Sequence, residues 1–182
     1  MRELKFAILG LVNRNALSGY DITKAFSDSL SKFWEAKHSQ IYPELRRLMD
    51  EGLVEYTVAI HGEKLEKKLY SITEKGRNEL MQWLTTPEPL EPVPKDAFRL
   101  KIYFGENLER EQMAEVLKSQ LREYQARLAI LEASFATVAE CPPEKFTPEF
   151  SEYLLIKGGI LRDNAYINWL RDCADLLELS ID

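Results

Sequence analysis

The 182-residue chain has only two cysteines and two histidines. Cys141 and Cys173 stand far apart, with no CxxC spacing and no histidine cluster nearby. That excludes a disulfide framework or zinc finger as the organising device and points to two reduced thiols. His38 and His61 are isolated from one another, and neither has the neighbours of a catalytic base or a metal ligand. Acidic residues are plentiful, but no spacing singles out a catalytic pair, and there is no glycine-rich phosphate loop. The expectation is a protein that is not an enzyme and needs no cofactor or metal. Long apolar runs are also missing. "FAILGLV" near the start is too short to span a bilayer. It has balanced charge before it, "NRN" after it and no small-residue cleavage site. No signal peptide or membrane association is expected, and the location that follows is cytoplasmic.

The composition, 45% hydrophobic and 30% charged, is that of a globular chain with a buried core. The net charge of -6 is unevenly spread. Residues 1–86 hold 13 basic and 12 acidic side chains, whereas the remainder holds 11 basic and 18 acidic ones. The first part is compatible with a polyanion and the second is not. Between them lies "TPEPLEPVP", with four prolines in nine residues, a stiff linker and a domain boundary. The domains expected are therefore 1–86, a linker at 87–94, and 95–182.

Leu4, Ala7, Ile8 and Leu11 mark a first helix. Ser18 and Asp21 have the spacing of a capping box at the start of a second, with Leu17 and Ile22 placed as a hydrophobic staple. A third helix begins near Ser39 and stops near Gly52, a residue suited to a left-handed C-terminal position. "LVEYTVAI", a basic glycine-containing tip and "LYSIT" read as a β-hairpin. Thr73 can cap a fourth helix carrying Leu80, Met81, Trp83 and Leu84. Beyond the linker, Leu117, Leu121, Tyr124, Leu128, Leu131 and Phe135 form a heptad seam, the pattern of paired helices. A last helix runs from about Glu149 to Leu177, with Tyr153, Leu154, Ile160, Trp169 and Leu170 as packing residues. Gly158 and Gly159 within it imply a close helix contact or a kink.

Three helices, a hairpin and a further helix make the order of a winged helix-turn-helix. The fold class expected is mostly α with a small β-hairpin, a winged domain followed by a helical domain. In "SQIYPELRRLMDEGLVEY", Ile41, Leu45, Leu48 and Met49 face inward. Ser39, Gln40, Pro43, Arg46 and Arg47 face outward, with Tyr42 on the flank. Gln and Arg can bond base edges, and Ser and Tyr can bond phosphates. Lys64, Lys67 and Lys68 on the hairpin tip could reach the DNA backbone, although Glu63 and Glu66 beside them would repel it. The seam residues Leu117, Leu121, Tyr124, Leu128, Leu131 and Phe135 are assigned to dimerisation, because a small helical domain has few places to bury them internally.

"ILGLVNRNALSGYDI", "SQIYPELRRLMDEGLV" and "KLYSITEKGRNELMQWL" together resemble the successive blocks of the PadR family of transcriptional regulators. "AFRLKIYFG" and the helix ending in "YINWL" resemble the C-terminal helical domain of its longer members. The resemblance implies a homodimer with an antiparallel helical dimerisation domain, bound to palindromic double-stranded operator DNA. It adds Ser18 and Tyr20 to the DNA contacts. It also implies a small aromatic effector, for which Phe98, Tyr103 and Trp169 are candidates against the alternative of core packing. The competing function is a winged-helix protein-interaction adaptor that binds no DNA.

Overall fold

The computed structural model describes residues 2–28, 30–32, 34, 36–61, 65–90, 95–139 and 142–181. The chain divides into two compact units, Met1–Glu91 and Pro92–Asp182.

In the first unit, α1 (Glu3–Arg14) buries Ile8, Leu9 and Val12, with Leu4, Ala7 and Leu11 at the edge of the same core. A two-residue strand, β1 (Leu17–Ser18), leads into α2 (Gly19–Asp28), which buries Ile22 and Phe26. After a 3-10 turn at Leu30–Lys32, α3 (His38–Asp50) inserts Ile41, Leu45 and Leu48. Gly52 follows with φ +69°, the left-handed conformation that L side chains avoid. β2 (Val54–His61) and β3 (Leu65–Ile72) are antiparallel, from Val54 opposite Ile72 to His61 opposite Leu65. Thr73 caps α4 (Glu74–Thr85), its hydroxyl accepting from Gly76 N–H at 3.1 Å.

The sheet has three strands in the order β1-β3-β2, not the two of the expected hairpin, because β1 pairs with β3 at Leu17–Tyr70 and Ser18–Leu69. Two residues are too few to show an alternating pattern. Ion pairs tie the helices together around this core. Arg2 binds Glu44 and Glu51, and the mostly buried Lys5 binds Glu79 and, at 3.6 Å, Glu51. Phe6 and Trp83 stack at 4.6 Å between α1 and α4.

In the second unit, Asp96 caps α5 (Ala97–Tyr103) by accepting from the N–H groups of Phe98 and Arg99. A 3-10 turn at Gly105–Asn107 precedes two long helices, α6 (Arg110–Ala139) and α7 (Pro148–Leu176). Their cross-contacts run in opposite directions along the two helices, Tyr124 with Tyr166, Arg127 with Asp163 and Phe135 with Tyr153, so the pair is antiparallel. Gly159 explains the double glycine. A Cβ there would lie 3.2 Å from Leu131, whereas one at Gly158 would meet open space.

The seam is occupied within the chain. Leu117 and Leu121 are buried against α7, Tyr124 and Leu128 pack on the same core, and Phe135 stacks on Tyr153 at 4.9 Å. Leu117 and Leu121 are therefore used within the chain, where the expectation was a contact between subunits. Heptad spacing specifies that α6 pairs with a helix and is silent on whose helix it is. Leu154, expected to pack, is exposed together with Ile130, Leu155 and Leu161. Cys173 is a free, half-buried thiol whose pKa burial raises, and Cys141 lies outside the described residues.

Candidate nucleic-acid interface

The start of α2 is held by the capping box read from the sequence. Ser18 N–H donates to Asp21 Oδ2 at 3.1 Å, and Asp21 N–H donates to Ser18 Oγ at 3.2 Å. The Ser18 hydroxyl also donates to Asp21 Oδ2 at 2.6 Å. Ser18 is therefore buried, with its hydroxyl engaged in the cap rather than presented outward. Tyr20, two residues on, is 69% exposed. Tyr42 of α3 is 48% exposed and lies against Gly19, where an added Cβ would come 2.6 Å from Tyr42 Cε1. Glycine at position 19 thus lets the tyrosine of one helix rest on the start of the other.

On α3, Ser39, Gln40, Pro43, Arg46 and Arg47 are all exposed, as their spacing indicated. Their environments differ. The Gln40 side-chain oxygen accepts from Lys37 N–H at 3.1 Å and so closes the helix start, leaving the amide NH2 as its outward group. A two-point contact to adenine needs both ends of that amide. Pro43 cannot supply the N–H that would bond the Ser39 carbonyl. Arg47 lies 3.7 Å from Glu44, which is buried and also holds Arg2. Arg46 has no ion-pair partner among the described residues. Glu44 was overlooked in the sequence, although it falls on the apolar face beside Ile41, Leu45 and Leu48 and so had to meet a cation.

The hairpin is drawn to this surface by charge. Lys67 Nζ lies 3.0 Å from Asp21 Oδ2. The Ser18 hydroxyl, Lys67 and the Ser18 N–H together hold the Asp21 carboxyl down at about 2. Lys68 Nζ stands over the Tyr56 ring at 4.3 Å. Lys64 and the acidic residue Glu63 lie outside the described residues. Tyr20, Tyr42 and the exposed side of α3 are thus presented outward, while Lys67 and Lys68, consecutive on β3, point to opposite faces of the sheet, Lys67 toward α2.

The effector candidates separate. Phe98 is buried in the core of the second unit, edge-on to Trp169 at 6.1 Å. Trp169 also lines a groove of about 370 Å3 with Arg99, Arg162, Ala165 and Tyr166. Tyr103 is 76% exposed with its ring against Phe104, away from that groove.

Among the described residues there is no cluster of potential metal ligands, and no helix is long and apolar enough to cross a membrane. Residues 8–82 match the transcriptional regulator PadR-like family, and residues 94–178 match the virulence activator alpha C-terminal family. The negative transcriptional regulator PadR of Bacillus subtilis is 43% identical over 180 residues, covering 98% of this chain and 99% of that protein. The chain belongs to the PadR-like family of transcriptional regulators. Crystal structures of B. subtilis PadR superpose on this PadR-like chain. The complex with operator DNA has a TM-score of 0.89 at 41% identity, and the complex with p-coumaric acid has 0.87 at 38%. Each alignment covers 97% of this chain and 99% of the other. The virulence activator AphA of Vibrio cholerae has a TM-score of 0.76 at 28% identity, over 96% of this chain and 98% of its own.

Proposed function

We propose that this chain is a homodimeric, sequence-specific DNA-binding repressor that works in the cytoplasm, does no chemistry and needs no cofactor. The observation that carries it is the exposed side of α3, where Arg46 stands without an ion-pair partner among the described residues, beside the hydrogen-bonding groups of Ser39, Gln40 and Arg47. The B. subtilis relative supports repression, since it is a negative regulator solved on its operator. Its complex with p-coumaric acid supports a small aromatic effector for this chain. In this reading residues 1–86 bind DNA, 87–94 are a linker and 95–182 dimerise. The exposed apolar residues Ile130, Leu154, Leu155 and Leu161 supply the contact between subunits, while Leu117 and Leu121 hold each α6–α7 hairpin together.

Arg46 reads a base edge, Arg47 and Tyr42 position α3 on phosphates, and Lys67 and Lys68 track the backbone. The test is a gel-shift titration of DNA from upstream of the protein's own coding region, with excess nonspecific competitor at two salt concentrations. A random-sequence selection covers an operator that lies elsewhere. A saturable, competitor-resistant complex with two chains per site is expected. Arg46→Ala should lose about 1–3 kcal/mol on the matched site and little on unmatched DNA. Absence of a duplex complex in both assays would leave the adaptor reading in possession.

Asp21 provides a second check. It both caps α2 and neutralises Lys67. Asp21→Asn should cost about 1 kcal/mol in stability by weakening the cap. The freed Lys67 should tighten matched and unmatched DNA alike and steepen the dependence of log K on log salt by about one. Because the folded Asp21 carboxyl lies below its ordinary value, the stability difference from wild type should be full above about pH 4 and fade as pH falls toward 2. Equilibrium unfolding across pH and a salt series by fluorescence anisotropy measure the two effects. An unchanged salt slope would show that Lys67 does not meet the backbone.

A further inference from the structure

We infer that Arg2 is a positioning residue for DNA binding: by matching the buried carboxylate of Glu44 it releases Arg47, on the same helix as Glu44, to meet phosphate. The inference rests on the DNA-binding reading above and adds to it a residue from outside α3. Arg2 stands just ahead of α1 and reaches across to α3. Its Nε donates to Glu44 Oε1 at 3.1 Å and its Nη2 donates to the same oxygen, while its Nη1 donates to Glu51 Oε1. Glu44 and Glu51 are seven residues apart, two turns of helix, so one guanidinium braces the second half of α3 against the start of α1. On its other side Glu44 meets Arg47, whose Nη1 lies 3.7 Å from Oε2. These three side chains line a groove of about 520 Å3 together with Ser39, Gln40 and Pro43, so the ion cluster opens onto the outward side of α3.

Burial decides which arginine Glu44 needs. Arg2 and Lys5 gather three carboxylates, those of Glu44, Glu51 and Glu79. Glu51 and Glu79 are partly exposed, and water shares their charge. The Glu44 side chain is only 7% exposed, and a carboxylate so far out of water must be matched within the protein. Arg2 gives it two hydrogen bonds. Arg47, with its side chain 66% exposed, stands too far off for a hydrogen bond. An exposed ion pair of that kind contributes little, so a phosphate can draw Arg47 off Glu44 while Arg2 stays in place.

Without Arg2 the balance reverses. Among the described residues Arg47 is then the cation paired with Glu44. Moving it to DNA would strand a buried charge, which costs more than one phosphate contact returns. Arg47 stays on Glu44, and the complex loses one backbone contact per subunit. A backbone contact carries no sequence information, so matched and unmatched DNA weaken alike.

Salt titrations of the full-length protein on a random-sequence duplex, read by fluorescence anisotropy, test this. Arg47→Ala should make log K against log salt shallower by about one per subunit. Arg2→Gln should do the same, and Arg2→Lys, which keeps a cation beside Glu44, should not. Affinity at moderate salt should fall roughly tenfold per subunit in Arg47→Ala and Arg2→Gln. Arg2→Gln/Glu44→Gln should regain the wild-type slope, because no carboxylate then holds Arg47 back. Arg2→Gln/Glu79→Gln has the same net charge but leaves Glu44 in place, so it should keep the loss. An unchanged slope in Arg47→Ala or in Arg2→Gln would overturn the inference. So would equal recovery by both double variants, which would reduce the effect to net charge, or recovery by neither, which would make Arg2 itself a phosphate contact. The inference also requires Arg2→Gln to fold, since Arg47 takes over the match to Glu44, and an unfolded Arg2→Gln protein by circular dichroism would overturn it. A wild type that binds no duplex at all would overturn the DNA-binding reading as well, whereas one that binds with a slope indifferent to Arg2 would overturn the inference alone.

Discussion

Gly76→Ala is expected to destabilise the winged unit by about 3 kcal/mol, the upper part of the range for overpacking a core. The added methyl would lie 2.1 Å from the Leu53 carbonyl oxygen, 2.9 Å from Ile72 Cγ1 and 3.0 Å from the Leu53 carbonyl carbon. The carbonyl cannot move aside cheaply. Thr73 N–H donates to the same oxygen at 3.0 Å, and the Thr73 hydroxyl donates to the adjoining Gly52 carbonyl at 2.8 Å. These bonds lock the end of α3 and the start of β2 to the start of α4. Gly76 is in the first turn of α4 with an ordinary helical backbone, so the penalty is steric and not a matter of φ. Gly10→Ala in α1 is the contrast, since nothing lies within 4 Å of its Cβ. It should gain about 1 kcal/mol from helix propensity. Urea unfolding of both variants, with unchanged slopes, measures the difference. A Gly76→Ala protein as stable as wild type would show that this junction can open.

The parts of this molecule that were legible in its sequence are those where period and local chemistry coincide. The two sides of α3, the Ser18–Asp21 box, the left-handed Gly52 and the Thr73 cap each depend on neighbours within four residues, and all are found as read. The exposure of Ser39, Gln40, Pro43, Arg46 and Arg47 on α3 was visible for the same reason. What escaped depended on distant partners. The seam of α6 announced a helical partner, but α7 of the same chain satisfies it. Ser18 is buried with its hydroxyl on Asp21, and that burial comes from the pairing of β1 with β3, which two residues of sequence do not announce. The Gln40 oxygen closes the start of α3, which its place on the exposed side does not reveal. The ion pair of Lys67 with Asp21 of α2 joins residues far apart in the chain, and no local pattern announces it. A charge read along the chain is implicitly a charge in water, and the fold changes that. The groove of Arg99, Arg162 and Trp169 joins α5 to α7 across more than sixty residues, and only Trp169 of these carried a signal on its own.

Arg127→Ala should cost about 3 kcal/mol, at the low end of what breaking a buried ion pair costs. Asp163 is completely buried in α7, in the middle of an apolar line of Ile156, Gly159, Ile167, Leu170 and Ala174. A lone acid at the centre of such a seam is itself the sequence signal that a cation must face it. Arg127 does so with two bonds of 2.7 Å while its own ring contact, 4.5 Å over Tyr124, holds the guanidinium in place. The low end applies because half of Arg127 is in water and Arg162 remains at 3.2 Å. Burial works to raise the Asp163 pKa, but the bonds and charges of Arg127, then Arg162, hold it below the usual carboxylate range. In wild type this stabilisation is present above the unfolded value, about 4, and is lost as pH falls through the lower folded one. In Arg127→Ala burial regains the upper hand and raises the carboxyl, so that protein should weaken as pH rises. The gap between the two is therefore widest at neutral pH and narrows below about pH 4. Arg127→Met with Asp163→Leu should restore most of the loss, because no charge is then left buried. Thermal and urea unfolding of the three proteins between pH 3.5 and 7.5 measure this. A double variant as weak as Arg127→Ala would mean that the pair sets the register of the α6–α7 hairpin and is not merely a charge that burial obliges the fold to match.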